Sequence, residues 1–279
     1  MAPKKSPSPK FLGKSTTYVD EYDPSLLDPV PRSQGRPKGW SVEQSPFRGV
    51  DLWTLYELSW LQDDGRPYVA IGQLRVPYDS PNLVESKSLK LYLNSLNQTR
   101  FASVDEARET MVNDISACVG EKVTVEVMSL VSPYLAPWPY ETMQCMDHMS
   151  YRDLDDNEDP LAKLVNLGGP ESVEGVWYTH GFRSLCPVTQ QPDWATLVFS
   201  YKGPELDWST VLGYVHSFRC HAAFHEQCVE TIFTDLLSAV PSAKLSVYAC
   251  FNRRGGIDIN PFRTNFEFEP PWHEPLLRQ

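Results

Sequence analysis

The chain has 279 residues, with 25 lysines and arginines against 36 aspartates and glutamates and a net charge of −11. A hydrophobic share of 41% supplies a packed core for one large domain or two ordinary ones and excludes wholesale disorder. So acidic a chain excludes tight, direct nucleic-acid binding, which needs clustered Lys and Arg, and no apolar run nears the roughly 20 residues that span a membrane.

Residues 1–20 read as a disordered tail. Lys4, Lys5 and Lys10 sit among Pro and Ser, and no apolar stretch follows them, so this is not a signal peptide. A cytoplasmic protein is expected, with reduced thiols. Its six cysteines show no disulfide-framework or zinc-ribbon spacing.

A first module is expected over 21–132. Leu52–Tyr56 and Tyr68–Ile71 predict a hairpin around an Asp63-Asp64-Gly65 turn. Helices follow over about 86–96 and 103–118, the second opened by Ser103 and Glu106 in capping-box spacing. Lys122–Val127 alternates as a strand. The segment 133–170, with Pro137, Pro139, Pro160 and an acidic run from Asp153 to Asp159, reads as a long surface connection.

The same order recurs over 171–279. Val176–Tyr178 and Trp194–Phe199 predict a hairpin, helices follow over about 208–218 and 225–239, and Lys244–Tyr248 and Ile257–Ile259 predict paired strands. Glu109, Thr110 and Asp114 echo Glu230, Thr231 and Asp235, and Lys122, Thr124 and Val125 echo Lys244, Ser246 and Val247. A nearly constant offset of this kind marks an internal duplication. Each half is thus ββααβ(β), an α+β fold of antiparallel sheet with helices on one face. Open sheet edges favour intimate association of modules and of chains.

Four stretches carry candidate chemistry. Cys186-Pro187 to Pro192-Asp193 is a proline-stiffened hairpin loop whose ends are expected to bring a thiol and a carboxylate face to face. By spacing alone, a core cysteine and a turn-capping aspartate are the commoner outcome. Phe224-His225-Glu226 opens a helix, where Glu226 is either a cap or an acceptor for a paired N–H edge such as that of a guanine-like ring. Val84-Glu85-Ser86-Lys87 opens another, either as an ordinary capped start or as a phosphate contact. Arg253-Arg254-Gly255-Gly256 is either a basic hairpin turn or a close backbone approach to a phosphorylated ligand. Cys220, His221, His225 and Cys228 match no standard zinc spacing, so no metal is expected.

Together these stretches resemble the long, two-module form of the NADPH-dependent 7-cyano-7-deazaguanine reductases. The matching motifs are Glu85 to Tyr92, Cys186 to Asp193, Phe224 to Cys228 and Arg253 to Pro261. The resemblance runs from about residue 18 to the end and is weakest over 133–170. It implies tandem tunnelling-fold modules (ββααββ) related to GTP cyclohydrolase I, a homodimer, a deazapurine nitrile substrate and NADPH as cofactor. It makes Cys186 the nucleophile that forms a thioimidate, Asp193 its proton carrier and His225 the group serving the imine step. Val84, Glu85, Ser86, Phe224, His225 and Glu226 would line the substrate site, and Ser86, Lys87, Arg254 and Gly255 would contact NADPH. Two other readings of the Cys-Asp loop are a cysteine-dependent nitrile hydrolase or cyclohydrolase-like enzyme, which would consume no NADPH, and a non-catalytic nucleotide-binding module, which would form no adduct.

Overall fold

A computed structural model describes residues 10, 19, 21–130, 137–150, 172–267, 269–270 and 275–279. In chain order its elements are β1 (Pro29–Pro31), β2 (Arg48–Leu61), β3 (Pro67–Pro77), β4 (Asn82–Val84), α1 (Ser86–Ser95), α2 (Val104–Val119), β5 (Thr124–Met128), β6 (Gln144–Cys145), β7 (Ser172–Leu185), β8 (Pro192–Pro204), α3 (Trp208–Ser217), α4 (His225–Ala239), β9 (Lys244–Phe251) and β10 (Ile257–Thr264). The class is α+β, compatible with tandem tunnelling-fold modules.

The chain divides into two compact units. One takes Met1–Glu43, Val50–Pro133 and Arg253–Ile259; the other takes Gln44–Gly49, Tyr134–Asn252 and Asn260–Gln279. The contacts of 253–259 therefore lie with the first unit, although their chain neighbours on both sides belong to the second.

In the first unit β3 runs antiparallel between β2 and β5. Residues 253–259 lie along β2, where the Tyr56 N–H donates to Gly256 O at 2.9 Å. The Gln62–Arg66 turn closes on Gly65, whose φ of 85° only glycine adopts without strain. Leu55, Leu58 and Leu74 from the strands, Leu89 and Tyr92 from α1, and Met111 from α2 meet in one buried core. Each such side chain contributes on the order of 1.5–3 kcal/mol by leaving water.

The second unit repeats this order. β8 lies antiparallel between β7 and β9, β9 pairs with β10 through Tyr248↔Phe262, and β6 adds parallel to β7. The strands run further than sequence patterning predicts, because their polar residues alternate onto the less buried face and dilute the apolar signal.

The duplication extends to single hydrogen bonds. Tyr92 Oη donates to Asp114 at 2.7 Å, and Tyr214 Oη donates to Asp235 at 2.6 Å. Ser95 and Ser217 donate back to the carbonyls of those tyrosines, each at 2.6 Å. Glu85 caps α1 and Asp207 caps α3. Asp114 and Asp235, matched by sequence alone, thus hold the helix pair of each unit in the same way.

Of the expected connection 133–170, residues 140–142 form one 3-10 turn and β6 follows. Its acidic run and most of the expected tail lie outside the described residues.

Candidate active site

The thiol and carboxylate come from the β7–β8 hairpin of the second unit. Cys186 N–H donates to Gln191 O and Gln190 N–H donates back to Cys186 O, both at 2.9 Å. Gln190 sits at φ 59°, a left-handed conformation that closes the turn and puts its side-chain amide 3.3 Å from the carbonyls of both Cys186 and Pro187. This register corrects the face-to-face expectation. Asp193 stands opposite Ser184, Pro192 opposite Leu185, and Cys186 opposite Gln191. Side chains alternate along a strand, so Cys186 and Asp193 share one face as diagonal neighbours.

The third member arrives from another direction. Leu185 N–H donates to His221 O at 2.9 Å, and Ala223 N–H donates to Leu185 O at 3.1 Å. These bonds fasten the segment before α4 to the end of β7. They set the start of α4 beside the hairpin loop, where Phe224 N–H donates to Gln227 Oε1 at 3.2 Å. His225 and Glu226 are both buried there. His225 Nε2 lies 3.2 Å from Asp193 Oδ2, and its ring stacks flat on Phe251 at 3.7 Å and 4°.

Burial pushes His225 down from 6.5 to about 4, against a smaller opposing pull from Glu226. The imidazole is therefore neutral at pH 7, with Nε2–H donating to Asp193. Its Nδ1 is then a buried acceptor, and it has no hydrogen-bond partner among the described residues. Leaving such an atom unsatisfied costs about 1–3 kcal/mol, which a ligand N–H would relieve. Cys228, one turn further along α4, is a buried thiol pushed up to about 12 by desolvation, with Ser184 beside it and acting in the opposite direction. It is a core thiol rather than a nucleophile.

The first unit builds the same frame and fills it. Leu61 N–H donates to Thr99 O, and Phe101 N–H donates to Leu61 O, both at 2.9 Å. The cross-strand pair that corresponds to Ser184 and Asp193 is Trp60 and Tyr68. Their rings stack at 4.8 Å and 25°, with Phe101 edge-on to Trp60 at 6.3 Å. Aromatic packing stands where the second unit holds its polar groups.

The other candidates lie in the first unit. Val84 ends β4 and is buried. Glu85 is also buried, and its two oxygens accept the Lys87 and Ser88 N–H groups, each at 2.9 Å. Burial raises its pKa, and those two amides oppose the rise. Of the two readings open for this helix start, the capped one describes these amides, because Glu85 occupies them. Arg254 and Ile257 exchange backbone hydrogen bonds around Gly255 (φ 61°) and Gly256 (φ 81°), a tight hairpin turn. Lys90, one helical turn beyond Lys87, donates to Gly255 O and pairs with Glu57 at 3.1 Å. Arg253 lies 3.6 Å over the Tyr56 ring, and Asp258 accepts from Tyr56 Oη at 2.6 Å. Arg253 and Arg254 precede these two glycines, and the Lys90 and Glu57 side chains pack into the space that a side chain at Gly255 and Gly256 would need. Guanidinium groups at such a turn suit a phosphorylated ligand.

Sequence reasoning missed Phe251, Ser184 and Lys90 as neighbours of these sites. Lys90 stood in the helix-opening motif, but only contacts between distant segments reveal the other two.

A neutral imidazole beside a carboxylate, at the end of a hairpin that also carries a buried cysteine, stands on a duplicated α+β frame. A family profile described as "Nitrile reductase, 7-cyano-7-deazaguanine-reductase N-term" matches residues 18–127, and one described as "QueF-like protein" matches residues 192–269. The chain belongs to the 7-cyano-7-deazaguanine reductase family, the nitrile reductases of queuosine biosynthesis, in its two-module form. Among the described residues no helix is long and apolar enough to cross a membrane.

Proposed function

We propose that the protein reduces the nitrile of 7-cyano-7-deazaguanine to the aminomethyl group with NADPH, through a thioimidate on Cys186. The observation that carries this reading is the buried cluster of Cys186, Asp193 and His225, which sits within a chain of this family.

A nitrile accepts hydride poorly until it is activated. Cys186 sulfur forms the S–C bond, its proton passes to Asp193, and Asp193 delivers it to the nitrile nitrogen. Asp193 suits this shuttle, because the His225 N–H orients one of its oxygens. Glu226 accepts the paired N–H edge of the ring, and the resemblance assigns further ring contacts to Val84, Glu85, Ser86 and Phe224. Two NADPH molecules, bound one after the other, would each supply one of the two hydrides that carry a nitrile to an amine. Ser86, Lys87, Arg254 and Gly255 bind the cofactor's phosphates and backbone-facing edge. His225, neutral at rest, hydrogen bonds the nitrogen at the imine stage after Cys186 has left. The working form is a cytoplasmic homodimer.

The test is adduct trapping. Wild-type protein incubated with 7-cyano-7-deazaguanine and no NADPH should gain one substrate mass per chain, mapped by peptide analysis to Cys186. Cys186→Ala should gain none and oxidise no NADPH. An adduct on another cysteine, or turnover by Cys186→Ala, would overturn the assignment.

A further inference from the structure

Three guanidinium groups of the second unit gather around one indole. Arg183 on β7, Arg219 in the 3-10 turn Phe218–Cys220, and Arg278 place Cζ 5.7, 5.6 and 6.0 Å from the Trp194 ring centre. Trp194 faces Arg183 across the β7–β8 pairing and directly follows Asp193. The Trp194 carbonyl accepts Asn252 N–H at 2.9 Å, which pins this end of β8 to the chain leaving β9.

A ring face attracts cations but does not neutralise them. In a chain with 36 acidic against 25 basic side chains, a carboxylate beside each arginine would be the ordinary arrangement. Among the described residues none of the three makes an ion pair. Arg278 donates to His180 O at 2.5 Å. Arg183 Nε is buried with no acceptor among the described residues. A buried guanidinium N–H without an acceptor is costly, and three like charges around one ring repel each other. An oxyanion removes both penalties, and guanidinium forks match phosphate geometry two bonds at a time.

We propose that Arg183, Arg219 and Arg278, gathered around Trp194, form an anion site that takes a phosphate group, as inorganic phosphate or as a phosphate monoester. It shares no residue with the Lys87 and Arg254 stretches and does not depend on the reductase reading.

The probe is inorganic phosphate, titrated calorimetrically into the full chain at low ionic strength. Saturable binding is expected. Arg219→Gln and Arg278→Gln, both at exposed positions that leave the core intact, should each raise Kd at least about tenfold, the worth of one charge-assisted contact. Arg219→Lys keeps the charge but not the fork and should weaken binding less. Displacement of phosphate by NADPH but not by NADH identifies the occupant as the cofactor's 2′-phosphate. Displacement by neither identifies free phosphate or another monoester. Binding that never saturates, or that is unchanged in both glutamine variants, overturns the proposal.

Discussion

Replacing His225 with glutamine removes a titrating ring but keeps an N–H near Asp193 at the position of Nε2. In the folded protein this ring titrates at about 4, against 6.5 when solvated, because burial disfavours its charged form. Above pH 6.5 the ring is neutral whether the chain is folded or not. As pH falls toward 4, the unfolded chain takes up a proton that the folded protein refuses, so stability drops across that window. At about 1.4 kcal/mol per pKa unit, the loss amounts to about 3 kcal/mol by the acid end. The side chain is 7% exposed, so solvent screening removes little of this. Asp193 at 3.2 Å pulls the other way, which makes about 3 kcal/mol the upper figure. Urea unfolding of wild type and His225→Gln from pH 7 down to pH 4.5 measures the effect. The stability gap between the two proteins should shift in favour of the variant as the solution is acidified. A gap that stays constant with pH would show that the ring does not titrate as its burial dictates.

Asp193→Asn keeps the shape of the carboxylate but cannot carry the thiol proton, so NADPH oxidation should slow by at least about 10²-fold while substrate still binds by calorimetry. Lys87→Ala and Arg254→Ala should raise KM for NADPH with little change in kcat, and wild type should prefer NADPH over NADH by more than about tenfold; equal kcat/KM for the two cofactors would remove the case for a 2′-phosphate contact. Trp60→Ala empties the stack that fills the first unit's frame and should destabilise the protein by about 3–5 kcal/mol in denaturant titration; a loss under 1 kcal/mol would show that the aromatic trio is not packed as described.

The sequence by itself determined the alternation of strands and helices, the duplication and the identity of the chemical groups. α4 spans the predicted bounds because its apolar residues recur at helical spacing. Asp114 and Asp235 could be matched because both keep the same tyrosine bond. Cys186 and Asp193 could be paired because a hairpin loop returns its ends to one place, a local constraint that reads directly from the chain. Only the tertiary structure decided the rest. Whether Cys186 stands opposite Asp193 or diagonal to it depends on register, and register is set by the Gln190 turn and the whole β7–β8 ladder. His225 meets Asp193 because backbone bonds from Leu185 to His221 and Ala223 tie together segments 36 and 38 residues apart, a separation that no periodicity records. The neutral state of that ring follows from burial against Phe251, and burial belongs to the packed molecule rather than to any stretch of its sequence.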